Sequence, residues 1–349
     1  MSGAVPSGRV EAWRRLARRR LTLLAAAGLL IVVAAIVDVA TGPAGLSPAT
    51  VARSILGLAE DRRVDTIVWS IRLPIALMAV VVGAALGLTG AVMQTILANP
   101  LASGYTLGIA SGAGFGAALV IVFGPLLPIS EETAVPLSAF LFSSLTCGAV
   151  FAIGRMRGST AEVLVLAGVA MLFLFQALLS LLQFVATPEA LSQIVFWLFG
   201  SLAKATWGKL AVVAGLVALM LPLLALDAWR LTALKLGDDR ARALGVDVEA
   251  LRLRSFVVVS VLTAAAVAFV GTIGFVGIVA PHVARMTIGE DQRYFLPGAA
   301  LCGAALLSLA SIASKVVVPG AVFPIGIVTA LIGVPFFLAL VMRSRRAWW

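Results

Sequence analysis

The chain has 349 residues, 61% hydrophobic and 12% charged, with a mean hydropathy of +1.10 and a formal charge of +10. This composition excludes a water-soluble domain of such length and indicates an integral membrane protein. It does not indicate a nucleic-acid binder, because Lys and Arg are spread along loop positions instead of gathering on one face.

Apolar runs of about 20 residues, enough to cross a bilayer as helix, recur along the chain. The N-terminal segment 1–20 is basic, with Arg14, Arg15, Arg18, Arg19 and Arg20, and a single transmembrane domain follows over 21–349. The apolar stretch to Ala40 is too long for a signal-peptide core, so it reads as an uncleaved first helix. Further helices are predicted over 73–93, 106–124, 134–154, 162–184, 208–228, 255–271, 273–288, 296–316 and 324–342, making ten spans of an all-α membrane protein. Only Gly271 to Gly274 divides the seventh span from the eighth.

Two polar-apolar segments, Ser47 to Trp69 and Pro188 to Gly208, read either as short helices lying at the interface or as irregular loop. Nineteen of the 26 basic residues fall on one side of the ten-span arrangement, in the N-terminus, the loop at Arg155 and Arg157, residues 230–254, Arg285 with Arg293, and the tail. By the positive-inside rule that side is cytoplasmic and carries both termini.

Cys147 and Cys302 are far apart in apolar runs and form no metal or redox motif. The nearest approach to a phosphate loop, "AKATWGKL", has Ala203 in place of its first glycine and Leu210 where a magnesium-binding hydroxyl belongs. The acids near the spans, Asp38, Glu162 and Asp227, lie close to helix ends, which favours an external energy source over a midplane ion relay. His282 is the one polar candidate inside a span, either a structural hydrogen-bonder or part of a polar cluster. GxxxG patterns at Gly83 to Gly87, Gly108 to Gly112 and Gly112 to Gly116 predict close helix packing, with pore-lining faces as the alternative.

In the middle of the chain "LGDDRARALG", from Leu236, forms a charged island suited to a short helix: acids Asp238 and Asp239 come first, Arg240 and Arg242 follow, and Gly237 and Gly245 bracket it. The stretches "RLPIALMAVVVGAALGLTGAVMQTILANPLASGYTLGIASGAGFGA" (72–117), "GTIGFVGIVAPHVARMTIGEDQRYFLP" (271–297) and "FPIGIVTALIGVPFFLALVMR" (323–343) resemble the permease family of bacterial ABC importers for iron siderophores, haem and vitamin B12.

The resemblance implies the type II importer permease architecture: a ten-helix subunit paired with a second copy or a sister permease, two cytoplasmic ATPase subunits and an extracytoplasmic binding protein. It implies that the segment 230–254 couples to the ATPase through Leu236, Gly237, Asp238, Asp239, Arg240, Arg242, Leu244 and Gly245. It places Arg72, and Lys315 in the departing motif "SIASK", at the docking face for the binding protein. Where the family pattern has a second arginine and an acid, this chain has Ile75 and Ser311. Ser159 and Thr160 are gate candidates, a role compatible with capping the fifth span.

The expected function is import of ferric siderophore complexes across the inner membrane, with haem or cobalamin as the alternative cargo. No cofactor and no catalytic residue are expected in this chain; ATP and Mg belong to the partner ATPase. A stand-alone secondary carrier and an intramembrane enzyme using His282 are the rival classes.

Overall fold

The computed structural model describes residues 7–42, 45–59, 61–124, 128–317 and 322–343, so the tail residues Arg345 and Arg346 lie outside the described residues. Every regular element described is helical. The chain opens with α1 (Ser7–Ala40), the short α2 (Pro48–Ile55) and α3 (Arg62–Asp65), and a π-helical segment (Thr66–Arg72) that runs directly into α4 (Leu73–Ile96). Then come α5 (Ile109–Phe123), α6 (Glu131–Arg157), α7 (Ala161–Val185), α8 (Pro188–Leu198) and α9 (Trp207–Leu234). After the short α10 (Asp238–Ala243) follow α11 (Val248–Val270), α12 (Val276–Ile288), α13 (Gln292–Val316) and α14 (Ile325–Arg343).

Among the described residues seven helices are long and apolar enough to cross a membrane, and α5, α12 and part of α14 add three shorter apolar helices. Each of the ten predicted spans therefore has its helix. The helices run past the apolar limits because charge ends a hydropathy run without ending a backbone: residues 7–20 continue α1, and α9 extends to Leu234 through Asp227 and Arg230. Both interface segments contain helix, and their N-termini are capped: Ser47 Oγ accepts from Thr50 N at 3.1 Å, and Thr187 Oγ1 accepts from Ala190 N at 3.3 Å.

The helices α4, α11 and α13 are buried along most of their length, whereas α1, α7 and α9 are largely exposed. No hydrophobic effect drives apolar helices together inside lipid, so close backbone approach has to hold this centre. Glycine allows it. A Cβ on Gly87 of α4 would fall 2.2 Å from the Ala299 carbonyl oxygen of α13, and one on Gly90 would fall 1.9 Å from the Gly277 carbonyl oxygen of α12. The same holds for α5 on α6, where a Cβ on Gly116 would meet the Ser138 carbonyl oxygen at 2.5 Å. These GxxxG faces are therefore packing faces.

Because the obstacle at Gly90 is backbone, Gly90→Ala is expected to destabilise by about 2–3 kcal/mol. Gly215→Ala on α9, where an added Cβ meets nothing within 4 Å, is the control. Thermal melts of the two variants in detergent test this; equal melting temperatures would refute it.

The narrow division between α11 and α12 is a true break. Gly271 has φ +74° and Phe275, a non-glycine, φ +65°. At this break three chain segments meet backbone to backbone: Ser201 N donates to Val270 O at 2.7 Å and Gly326 N donates to Phe199 O at 2.9 Å. Side chains of α1 tie the first helix to later ones at both ends. Arg20 Nε donates to Ile288 O at 2.9 Å, 268 residues away, and its guanidinium lies 3.6 Å from Asp291 and over the Tyr294 ring.

Candidate functional site

The charged island folds as predicted into a six-residue helix, α10, between two glycines of positive φ, Gly237 at +96° and Gly245 at +83°. Its end is a Schellman turn: Val246 N donates to Ala241 O at 3.0 Å and Gly245 N to Arg242 O at 2.9 Å, with Ala241 and Val246 both buried. Asp247 then caps α11, its Oδ1 accepting from Ala250 N at 3.0 Å. The chain thus reverses direction within a few residues and presents one face of α10 outward. On that face Asp239, Arg240, Arg242 and Ala243 are exposed, flanked by Leu236 and Leu244 at 53% and 52% exposure. Two half-exposed leucines around two arginines make a compact contact surface of mixed character.

What holds α10 is Arg252, on the first turns of α11. Its Nη1 and Nη2 donate to the two oxygens of Asp238 at 2.7 and 2.9 Å, and its Nε donates to the Ile96 carbonyl at 2.9 Å. The Arg252 side chain is buried at 6% exposure while Asp238 is part-exposed at 35%, and a two-pronged, charge-assisted fork of this kind is strong for its size. The Asp239 to Arg242 pair at 3.3 Å is exposed and contributes little. Nearby, buried Asp227 accepts from Arg230 at 2.8 Å and from Arg254 at 2.6 Å, joining the end of α9 to the start of α11.

The same end of the bundle carries a second ionic cluster. Lys235 and Arg285 both pair with Glu290, and Arg285 Nη2 donates to Gln94 Oε1 at 2.8 Å. Desolvation by burial lowers the Lys235 pKa, and the Glu290 carboxylate opposes that shift. Ser159 is buried beside Gly154, and Thr160 is the N-cap of α7, accepting from Val163 N at 3.4 Å. Of the two gate candidates Thr160 is thus a helix cap, and Ser159 is a buried neighbour of it.

At the opposite end, the residues expected to dock a binding protein face inward. Arg72 is 5% exposed, and its Nη1 donates to Val39 O at 2.8 Å and Ala40 O at 3.0 Å, closing the C-terminal end of α1. Lys315 Nζ lies 3.0 Å from the Asp38 carboxylate and donates to the Asp38 carbonyl at 3.1 Å. In this structure neither charge reaches the surface. The positions departing from the family pattern come together here, since Ile75, Ser311 and Lys315 line one small cleft. Asp38 supplies, from α1, the acid that Ser311 does not.

His282 packs against the Phe336 ring, with centroids 6.2 Å apart, and among the described residues no group of three His, Cys, Asp or Glu could hold a metal. Sequence reasoning missed Arg252, Asp227 and Glu290 as site residues. Arg252 and Glu290 read as loop charge and Asp227 as an acid at a helix end, and only their tertiary pairing distinguishes them.

A bundle of apolar helices long enough to cross a bilayer, with a short charged helix turned out at one end, is the architecture of a polytopic helical membrane protein. The chain belongs to the FecCD transport family, which it matches over residues 29–343. It is 40% identical over 283 residues to the hemin transport permease HmuU of Yersinia pestis, covering 80% of this chain and 84% of that one. It is 32% identical over 329 residues to the Fe(3+)-citrate import permease YfmE of Bacillus subtilis, covering 94% and 97%. A solved structure described as an inward-facing metal-chelate type ABC transporter superposes with a TM-score of 0.82 at 35% identity, covering 92% of this chain and 99% of that one. The protein is thus a multi-pass permease subunit of an ABC importer.

Proposed function

We propose that this permease carries ferric siderophore complexes across the inner membrane, with both termini and α10 in the cytoplasm. ATP is hydrolysed, with Mg, in a separate ATPase subunit that seats on the exposed face of α10. A binding protein delivers cargo to the other side, and a second permease copy or a sister permease completes the path. The chain itself binds no cofactor.

The observation that carries this reading is α10 itself, a rigidly anchored helix whose arginines Arg240 and Arg242 point outward with no buried partner of their own. The cargo class is supported by the names of the relatives, one a hemin permease and one a ferric citrate permease, and by the metal-chelate description of the solved homologue. Haem is the second reading, favoured by the relative at 40% identity.

The test is reconstitution with the ATPase and binding protein in liposomes, offered in turn radio-iron siderophore, haem and cobalamin. ATP-dependent siderophore uptake is expected. Uptake of haem or cobalamin alone would replace the cargo, and gradient-driven uptake without the ATPase would overturn the importer reading itself.

A further inference from the structure

The last turn of α4 is a junction. Three consecutive residues there each accept a hydrogen bond from a different helix: Gln94 Oε1 from Arg285 of α12, Thr95 Oγ1 from Gln292 of α13 at 3.0 Å, and the Ile96 carbonyl from Arg252 of α11. The Arg285 link runs on through Glu290 to Lys235 at the end of α9, whereas the Arg252 link reaches α10 directly, since its two remaining nitrogens hold Asp238, the first residue of α10. A planar guanidinium with Nε on one partner and both Nη atoms on another fixes the two partners relative to each other. Moving α10 against α4 by an ångström would break these bonds around a buried guanidinium. At its other end α4 continues from the π-helical segment, whose Arg72 closes α1 beside Asp38 and Lys315. A deeply buried rod therefore joins α10 to the far end of the bundle, and Arg252 is its coupling pin.

We propose that Arg252 is a positioning residue that transmits displacement of α10 to α4, so that ATP hydrolysis moves the path. This inference rests on the reading of α10 as the ATPase contact.

The test uses the complete transporter in liposomes and measures ATPase retention, ATP hydrolysis and cargo uptake together. Arg252→Lys keeps the charge but cannot hold Asp238 with two nitrogens while a third meets Ile96. It is expected to retain the ATPase and hydrolyse ATP at a rate near that of the unmodified complex, yet to lose about tenfold in uptake per ATP, as for loss of one link in a coupled network. Asp238→Asn, a milder change at a partly exposed side chain, should lower the same ratio about threefold. The double variant should fall no further than Arg252→Lys alone, because both act through one link. A purely structural role would lower the amount of folded complex and leave uptake per ATP unchanged.

Unchanged uptake per ATP in both variants overturns the inference. If Arg252→Lys yields no folded protein, Asp238→Asn decides alone. Arg240→Glu with Arg242→Glu separates this from the underlying reading. If that pair leaves the ATPase bound, the contact reading fails. If it releases the ATPase while Arg252→Lys keeps normal uptake per ATP, only the present inference fails.

Discussion

With α10 as the proposed ATPase contact, replacing Arg240 and Arg242 together by glutamate is expected to release the ATPase subunit and stop ATP-driven uptake, while the permease folds as before. Both side chains are exposed, and the one ion pair between them and the rest of α10, Arg242 with Asp239, is exposed as well, so its loss costs little. The framework of α10 does not depend on them: Arg252, the Schellman turn and buried Ala241 stay in place. At an interface, by contrast, reversing a charge sets like charges against each other at several kcal/mol, so two reversals weaken assembly by about a hundredfold or more. Co-purification of the ATPase with the variant, together with a melt showing unchanged folding, measures this. A complex retained at full yield would remove α10 as the contact.

Asp38→Asn gives the largest loss of stability. The carboxylate is fully buried, and it sits against Lys315, whose side chain is 7% exposed, with Arg72 nearby at 5%. Removing the acid leaves two buried cations without a counter-charge, which costs about 3–5 kcal/mol, whereas replacing a whole buried pair by apolar residues is often neutral. The melting temperature of Asp38→Asn should therefore fall sharply, and Asp38→Leu combined with Lys315→Met should recover most of the loss. A single variant that melts like the parent would show that the pair contributes nothing.

The ten spans were legible because the length of an apolar run needs no tertiary information. Their ends were less so. The prediction stopped α9 near Ala228, whereas its helix continues to Leu234, because Asp227 accepts from both Arg230 and Arg254 and its charge is answered within the helical backbone. The predicted spans 106–124 and 273–288 lost residues at their starts, where Gly108 and Phe275 adopt positive φ. Phe275 gave no signal, since a non-glycine in that region is set by its surroundings.

In the site, α10 was legible from its glycines and its charge order. Its anchor was not: Asp238 and Arg252 are fourteen residues apart across a chain reversal, and no helical or strand period relates them. The inward turn of Arg72 and Lys315 was likewise unreadable, because their acid comes from α1 and Asp38 lies 277 residues from Lys315 in sequence.

The two anchors of α1 also set the order in which the molecule can be completed. This helix precedes all the others described, yet Arg20 waits for Ile288 and Asp291, and Asp38 waits for Lys315, each at least 268 residues further along. Until then α1 stands in the bilayer without its final neighbours, its two ends each bearing unanswered charge. A chain truncated before α13 would keep the Arg20 anchor but leave Asp38 without Lys315, so the second anchor of the first helix forms only once α13 has been made.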